Sequence, residues 1–136
     1  MGRQERTIGN DRGRFQQAAQ SDECVSINVR LAGLDAPSVV EVSGEVDMTT
    51  SPMVIATVNE LLDDGASVIV DLSGVTFLGS SGLAGLVEVT DRASERDRQL
   101  AIVANKPPVV RPIEVTGLLS HLPTFASLNE ALAQFA

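Results

Sequence analysis

The sequence predicts an α/β domain, a small mixed β-sheet of four to five strands with helices packed mainly on one side. Three observations carry that expectation. Val25, Ile27, Val29 and Leu31 alternate with polar residues, the period-two mark of a half-buried strand. A helical stripe of Val54, Val58, Leu61 and Leu62 separates two strand-like runs, a spacing that suits a parallel crossover. A third apolar run from Val68 meets the turn Gly79-Ser80-Ser81-Gly82 and restarts at once with helical periodicity.

Size and charge narrow the class. The 136 residues, 43% hydrophobic, suffice for one domain, expected over residues 23–136 behind an N-terminal tail of residues 1–22. That tail holds Arg, Gln, Gly and Asp with almost no apolar residues, so it has little surface to bury and is expected to be disordered. Only 3% of the chain is aromatic, with no Trp or Tyr, so stacking surfaces for bases or sugars are scarce. The formal charge is −8; residues 1–21 carry +2 of it and the remainder −10. An acidic body repels nucleic acid and anionic membrane, which makes a basic protein surface the natural partner. Cys24 is the sole cysteine, so no intramolecular disulfide forms, and no Cys/His cluster offers a metal site. No cofactor is expected. No apolar run approaches the roughly 20 residues that span a bilayer, and the N-terminus lacks the apolar core of a secretory signal, so a cytoplasmic location is expected.

Each element has its own local reason. Residues 24–31 form the first strand, residues 33–37 turn the chain, and residues 38–43 return as its antiparallel partner. The segment Gly44-Glu45-Val46-Asp47 then leaves the sheet towards a helix. Ser51 followed by Pro52 starts that helix, since serine caps free amides and proline tolerates the first turn. Asp63-Asp64-Gly65 stops it. Residues 67–72 are apolar enough for a central strand buried on both faces. After the serine turn, Leu83, Leu86, Val87 and Thr90 mark the buried stripe of a helix, while Glu88 and Arg92, four residues apart, can pair on its solvated side. Residues 100–104 form the next strand. Pro107-Pro108 opens a helix through Val110, Ile113 and Val115, with Gly117 suited to its C-terminal cap. A short strand near residues 124–126 precedes a last helix, capped by Ser127 with Glu130 three residues on.

The order of elements, the segment Gly44-Glu45-Val46-Asp47 and the run from Asp71 to Leu83, DLSGVTFLGSSGL, together resemble the STAS domain of bacterial anti-sigma factor antagonists. The likeness covers residues 24–136, and the fold it implies is the STAS-like one. It implies that the chain binds an anti-sigma factor of the histidine-kinase-like ATPase type and releases the sigma factor for transcription. In this family the anti-sigma factor phosphorylates the first serine of the turn, here Ser80, and a PP2C-type phosphatase removes the phosphate. The partner face would comprise Glu45, Asp47, Gly79, Ser80, Ser81, Gly82 and Leu83. Gly79 stands where the family usually has aspartate. Three versions of the domain are compatible with that glycine: one in which Ser80 is phosphorylated, though poorly, one that antagonises constitutively, and one controlled by a different signal. STAS-like domains also serve as regulatory or scaffold modules of transporters, stressosome-like and lipid-transport complexes, which is the alternative assignment.

The chemistry suits a switch. A phosphoryl group on a helix N-terminus meets unpaired amides and the positive end of the dipole, while its one to two negative charges disrupt an apolar or acidic contact. Gly79 and Gly82 are expected to allow tight or positive-φ geometry and close backbone approach. Capping alone also explains serine and glycine in such a turn, and Asp47 equally suits starting a helix with Thr49, Thr50 and Ser51. A hydrolase is the enzymatic rival, since a serine between strand and helix resembles a nucleophile elbow. The turn is not Gly-x-Ser-x-Gly, however, and His121 is the sole imidazole in the chain, so no enzyme is expected. Cys24 and His121 are read as structural.

Overall fold

The computed structural model describes residues 5–6, 25–31 and 36–135. The strands are β1 (Glu5–Arg6), β2 (Val25–Arg30), β3 (Ser38–Val46), β4 (Val68–Leu78), β5 (Leu100–Val103) and β6 (Thr124–Phe125). The helices are α1 (Ser51–Asp63), α2 (Ser80–Glu95), α3 (Pro107–Val115) and α4 (Leu128–Ala133), with a 3₁₀ turn at Leu118–Ser120. All strands lie in one sheet in sequence order. β1, β2 and β3 pair antiparallel, and β3 to β6 pair parallel. The four longer strands and β6 make up the mixed sheet read from the sequence. The two-residue β1 is an addition that no apolar alternation announces. The rest of the expected tail, Cys24 and most of the 33–37 turn lie outside the described residues.

The sheet is covered unequally. Val40, Val42, Val68, Val70 and Leu72 form one core with Val54, Val58 and Leu62 of α1, Leu86 and Val89 of α2, and Ile113 of α3. On the opposite face Val39, Ile69 and Ala101 pack only against Ala131 of α4, with Leu128 and two half-buried phenylalanines, Phe125 and Phe135. Three helices on one face and one short helix on the other match the one-sided packing expected. Burying a Val or Leu in such a core stabilises by about 1.5–3 kcal/mol, which makes the larger cluster the main source of stability.

Several local expectations need correction. β3 does not end at Ser43; Gly44, Glu45 and Val46 stay in the sheet opposite Val75, Phe77 and Leu78. β4 likewise runs past Leu72, because Ser73 is turned by its neighbour: the Asp71 carboxylate accepts from the Ser73 amide at 3.0 Å and from its hydroxyl at 2.6 Å. The register shifts there, between Glu41/Asp71 and Ser43/Gly74, and the strand then resumes. A second shift separates Gly44/Val75 from Glu45/Phe77. On α2 the buried stripe is Leu83, Leu86, Val89 and Ala93, while Val87 and Thr90 are only half-buried. Arg92 does not pair with Glu88. It reaches Asp63 of α1 at 3.3 Å, and Arg96 reaches the same carboxylate at 2.7 Å, so the ion pairs join two helices.

Candidate functional site

Two strand-to-helix junctions lie side by side at one end of the sheet. β3 passes into α1 through residues 47–50 and β4 passes into α2 through Gly79. They are joined by a main-chain hydrogen bond, the Gly79 amide donating to the Val46 carbonyl at 2.9 Å. The parallel pairing of Glu45 with Phe77 and Val46 with Leu78 makes them neighbours.

The first junction is saturated with hydrogen bonds. Asp47 Oδ1 accepts from the Thr49 amide at 3.0 Å, the Thr50 amide at 3.1 Å and the Thr49 hydroxyl at 2.8 Å. The Asp47 amide donates to Thr50 Oγ1 at 2.9 Å, and that hydroxyl in turn donates to the Glu45 carbonyl at 2.8 Å. Hydrogen bonding from Thr49, foremost from its hydroxyl, holds the Asp47 carboxyl below its ordinary pKa. Ser51 was expected to cap α1, but it is the first helical residue and its amide donates to the Asp47 carbonyl at 2.8 Å. The N-cap position is Thr50, with no side-chain cap on the helix; Asp47 and the two threonines tie together the turn that leads into it. Glu45 is exposed beside this latch.

The second junction is bare. Gly79 occupies the N-cap position of α2 at φ −86° and ψ 178°, and no side chain caps the helix. The first intrahelical bond runs from the Leu83 amide to the Gly79 carbonyl at 3.0 Å, leaving the amides of Ser80, Ser81 and Gly82 before it. Ser80 is exposed and Ser81 half-buried. Of the tight or positive-φ geometry expected, neither Gly79 nor Gly82 adopts positive φ; among the described residues the glycines that do are Gly44, Gly65 and Gly117. Gly82 serves close approach instead. A Cβ there would stand 2.7 Å from Leu78 Cδ1 and 2.9 Å from Val46 Cγ1. Gly82 and Leu83 are themselves buried, so they seat the turn from beneath, whereas Ser80 and Glu45 face outward. Leu83, expected on the partner face, has its side chain in the core and can act there only through the position it gives the turn.

Phe77 was not singled out from the sequence. A phenylalanine in an apolar run reads as core, yet Phe77 is 50% exposed. No sequence signal marks it; its place beside Glu45 follows from the sheet register.

No catalytic set surrounds Ser80. His121 Nε2 lies 2.9 Å from Asp91 Oδ1. Asp91 is eleven residues along α2 from Ser80, about 16 Å at the rise of an α-helix. Among the described residues no three His, Cys, Asp or Glu side chains gather as a metal site, and no helix is long and apolar enough to cross a membrane. The class to be matched is thus a mixed α/β sheet with an exposed hydroxyl at one helix start.

Comparison with known proteins places that class. Residues 28–131 match the STAS domain, and the chain belongs to this family, among its anti-sigma factor antagonists. It is 31% identical over 108 residues to the anti-sigma-F factor antagonist RsfB of Mycobacterium tuberculosis, covering 79% of this chain and 88% of that one. A crystal structure of an anti-sigma factor antagonist from Mycobacterium paratuberculosis superposes with a TM-score of 0.75 at 33% identity, covering 85% of this chain and 97% of the other. The antagonist SpoIIAA in its unphosphorylated form shares the fold, with a TM-score of 0.66 at 17% identity over 80% of this chain and 95% of that one.

Proposed function

We propose that this chain acts in the cytoplasm as an anti-sigma factor antagonist. It binds an anti-sigma factor of the histidine-kinase-like ATPase type, which then gives up its sigma factor for transcription. Docking uses the end of the sheet where Glu45 and Asp47 flank the start of α2. Phosphorylation of Ser80 by the bound partner ends the complex, and a PP2C-type phosphatase restores it.

The observation that carries this reading is the state of Ser80. It is an exposed hydroxyl in the first position of a sixteen-residue helix that has no side-chain cap. A kinase can reach it, and the phosphoryl group would meet three amides at the positive end of the helix dipole, so the modified domain stays folded. The same group adds charge to a face already bordered by Glu45 and Asp47. A penalty of about 2.7 kcal/mol lowers affinity a hundredfold.

Isothermal titration against a purified ATPase-type anti-sigma factor from the same organism tests it. Wild type and Ser80→Ala are expected to bind alike, and Ser80→Glu about a hundredfold more weakly. Equal affinity for wild type and Ser80→Glu would remove the switch. Phosphopeptide mapping after incubation with partner and ATP should return the modification on Ser80.

A further inference from the structure

We infer that Phe77 is the apolar anchor of the docking face, and that Gly79 lets its ring lie against the serine turn. The inference rests on the docking reading above and assigns the side chain that supplies affinity within it. A Cβ built on Gly79 would stand 3.2 Å from Phe77 Cε2, tighter than most side-chain contacts, and 3.5 Å from Cζ, at ordinary contact distance. The ring therefore lies over the glycine that opens the turn, where a side chain would crowd it. Phe125 and Phe135 are half-buried against α4, whereas Phe77 stays 50% exposed at the end of β4.

A rigid aromatic side chain loses little conformational entropy on docking and buries a large apolar area, which is why such residues dominate binding energy where a partner pocket excludes water. The neighbours of Phe77 define the pocket. Glu45, paired with it in the sheet, is exposed, and Ser80 lies just beyond Gly79. The occupant is accordingly a protein surface with an apolar pocket for the ring and a basic side chain beside it for Glu45, matching the acidic body of this chain. The anti-sigma factor is assigned that surface. Gly79 then has a role of its own: it gives up the helix cap that an aspartate would provide in exchange for the placement of an aromatic ring.

The test is a double-mutant cycle with Phe77→Ala and Gly79→Ser, titrated against the same purified anti-sigma factor. Serine is chosen because it caps a helix well and adds a Cβ without charge. Phe77→Ala should weaken binding at least about tenfold. Gly79→Ser should weaken it about threefold in the wild-type background and leave it unchanged in the Phe77→Ala background, since the glycine acts through the ring. Thermal melts confirm that each variant is folded. Binding by wild type with undiminished affinity in Phe77→Ala overturns the anchor while leaving the docking reading standing. Equal effects of Gly79→Ser in both backgrounds overturn the coupling. Absence of binding by folded wild type overturns both the anchor and the reading it rests on.

Discussion

The two junctions at the end of the sheet solve the same problem in opposite ways. Each must turn a parallel strand into a helix, and each must deal with the first amides of that helix. After β3, Asp47, Thr49 and Thr50 hydrogen-bond to one another and to the Glu45 carbonyl, tying the turn together although no side chain caps α1 itself. After β4, Gly79 offers no side chain and Ser80 is left open to solvent. One junction spends its polar groups on holding its own shape. The other leaves its first amides without a side-chain partner, and its shape comes from apolar packing underneath. The difference teaches that a strand-to-helix turn stays in place without side-chain hydrogen bonds when small residues seat it against the core.

Breaking that seat should have the largest effect on stability. Gly82→Val places methyls where Leu78 Cδ1 and Val46 Cγ1 already lie within 2.9 Å of a Cβ. Overpacking of this kind costs about 1–3 kcal/mol, and neither neighbour can retreat, since Leu78 and Val46 are both buried. Chemical denaturation should show a lower midpoint with an unchanged slope.

Breaking the latch comes next. Asp47→Ala removes the acceptor for two amides and a hydroxyl in the turn that leads into α1, and should lower stability. A thermal melt should place its midpoint below that of wild type. Ser80→Ala, at the bare junction, should stay within about 0.5 kcal/mol of wild type, because its exposed hydroxyl has no latch to break. A loss at Ser80 equal to that at Asp47 would erase the contrast between the junctions.

Acid separates the charge of the latch from its shape. The folded Asp47 carboxyl titrates below its ordinary value. In the interval between the two values the unfolded chain binds more protons, so stability rises with pH there. The contribution of Asp47 is therefore complete above roughly pH 4 and is lost as pH falls through the lowered folded value. Asp47→Asn should flatten that part of the stability profile, and its thermal midpoint near neutral pH should fall between those of wild type and Asp47→Ala.

How much of this was legible in the sequence follows the same division. Elements governed by their own periodicity were readable: the alternation of β2, the Val54, Val58, Leu61 and Leu62 stripe of α1, and the Ser127 cap of α4, which accepts from the Glu130 amide at 3.1 Å. Features set by a neighbour were not. The buried stripe of α2 includes Val89 and Ala93, and Gly85 faces Ile55 of α1, whose Cδ1 would lie 2.4 Å from an added Cβ. Helix-to-helix contact of that closeness is invisible to a count of apolar spacings. Arg92 and Arg96 chose Asp63 over partners on their own helix for the same reason. The serine turn was legible because Gly-Ser-Ser-Gly between a strand and a helix is a local signal. The exposure of Phe77 was not, since it depends on α4 covering the far face of the sheet only near Val39, Ile69 and Ala101.

The smallest expected effect sharpens the comparison most, because it converts the bare junction towards the saturated one. Gly79 already has the extended backbone of an N-cap, at φ −86° and ψ 178°, so aspartate or asparagine fits there without a change of main chain. Either gains a few tenths of a kcal/mol over glycine by accepting from a first-turn amide. Aspartate adds a further 0.3–1 kcal/mol, roughly, from its charge against the helix dipole. The half-exposed Phe77 ring must move aside for the new Cβ and returns part of that gain. Gly79→Asp should therefore melt slightly above wild type at low salt and above Gly79→Asn as well. In about 1 M salt the two variants should converge, since the charge term is screened and the hydrogen bond is not. Should Gly79→Asp instead melt below wild type, the ring would be held more firmly than its exposure implies, and the seat of the turn would extend from Gly82 to Phe77.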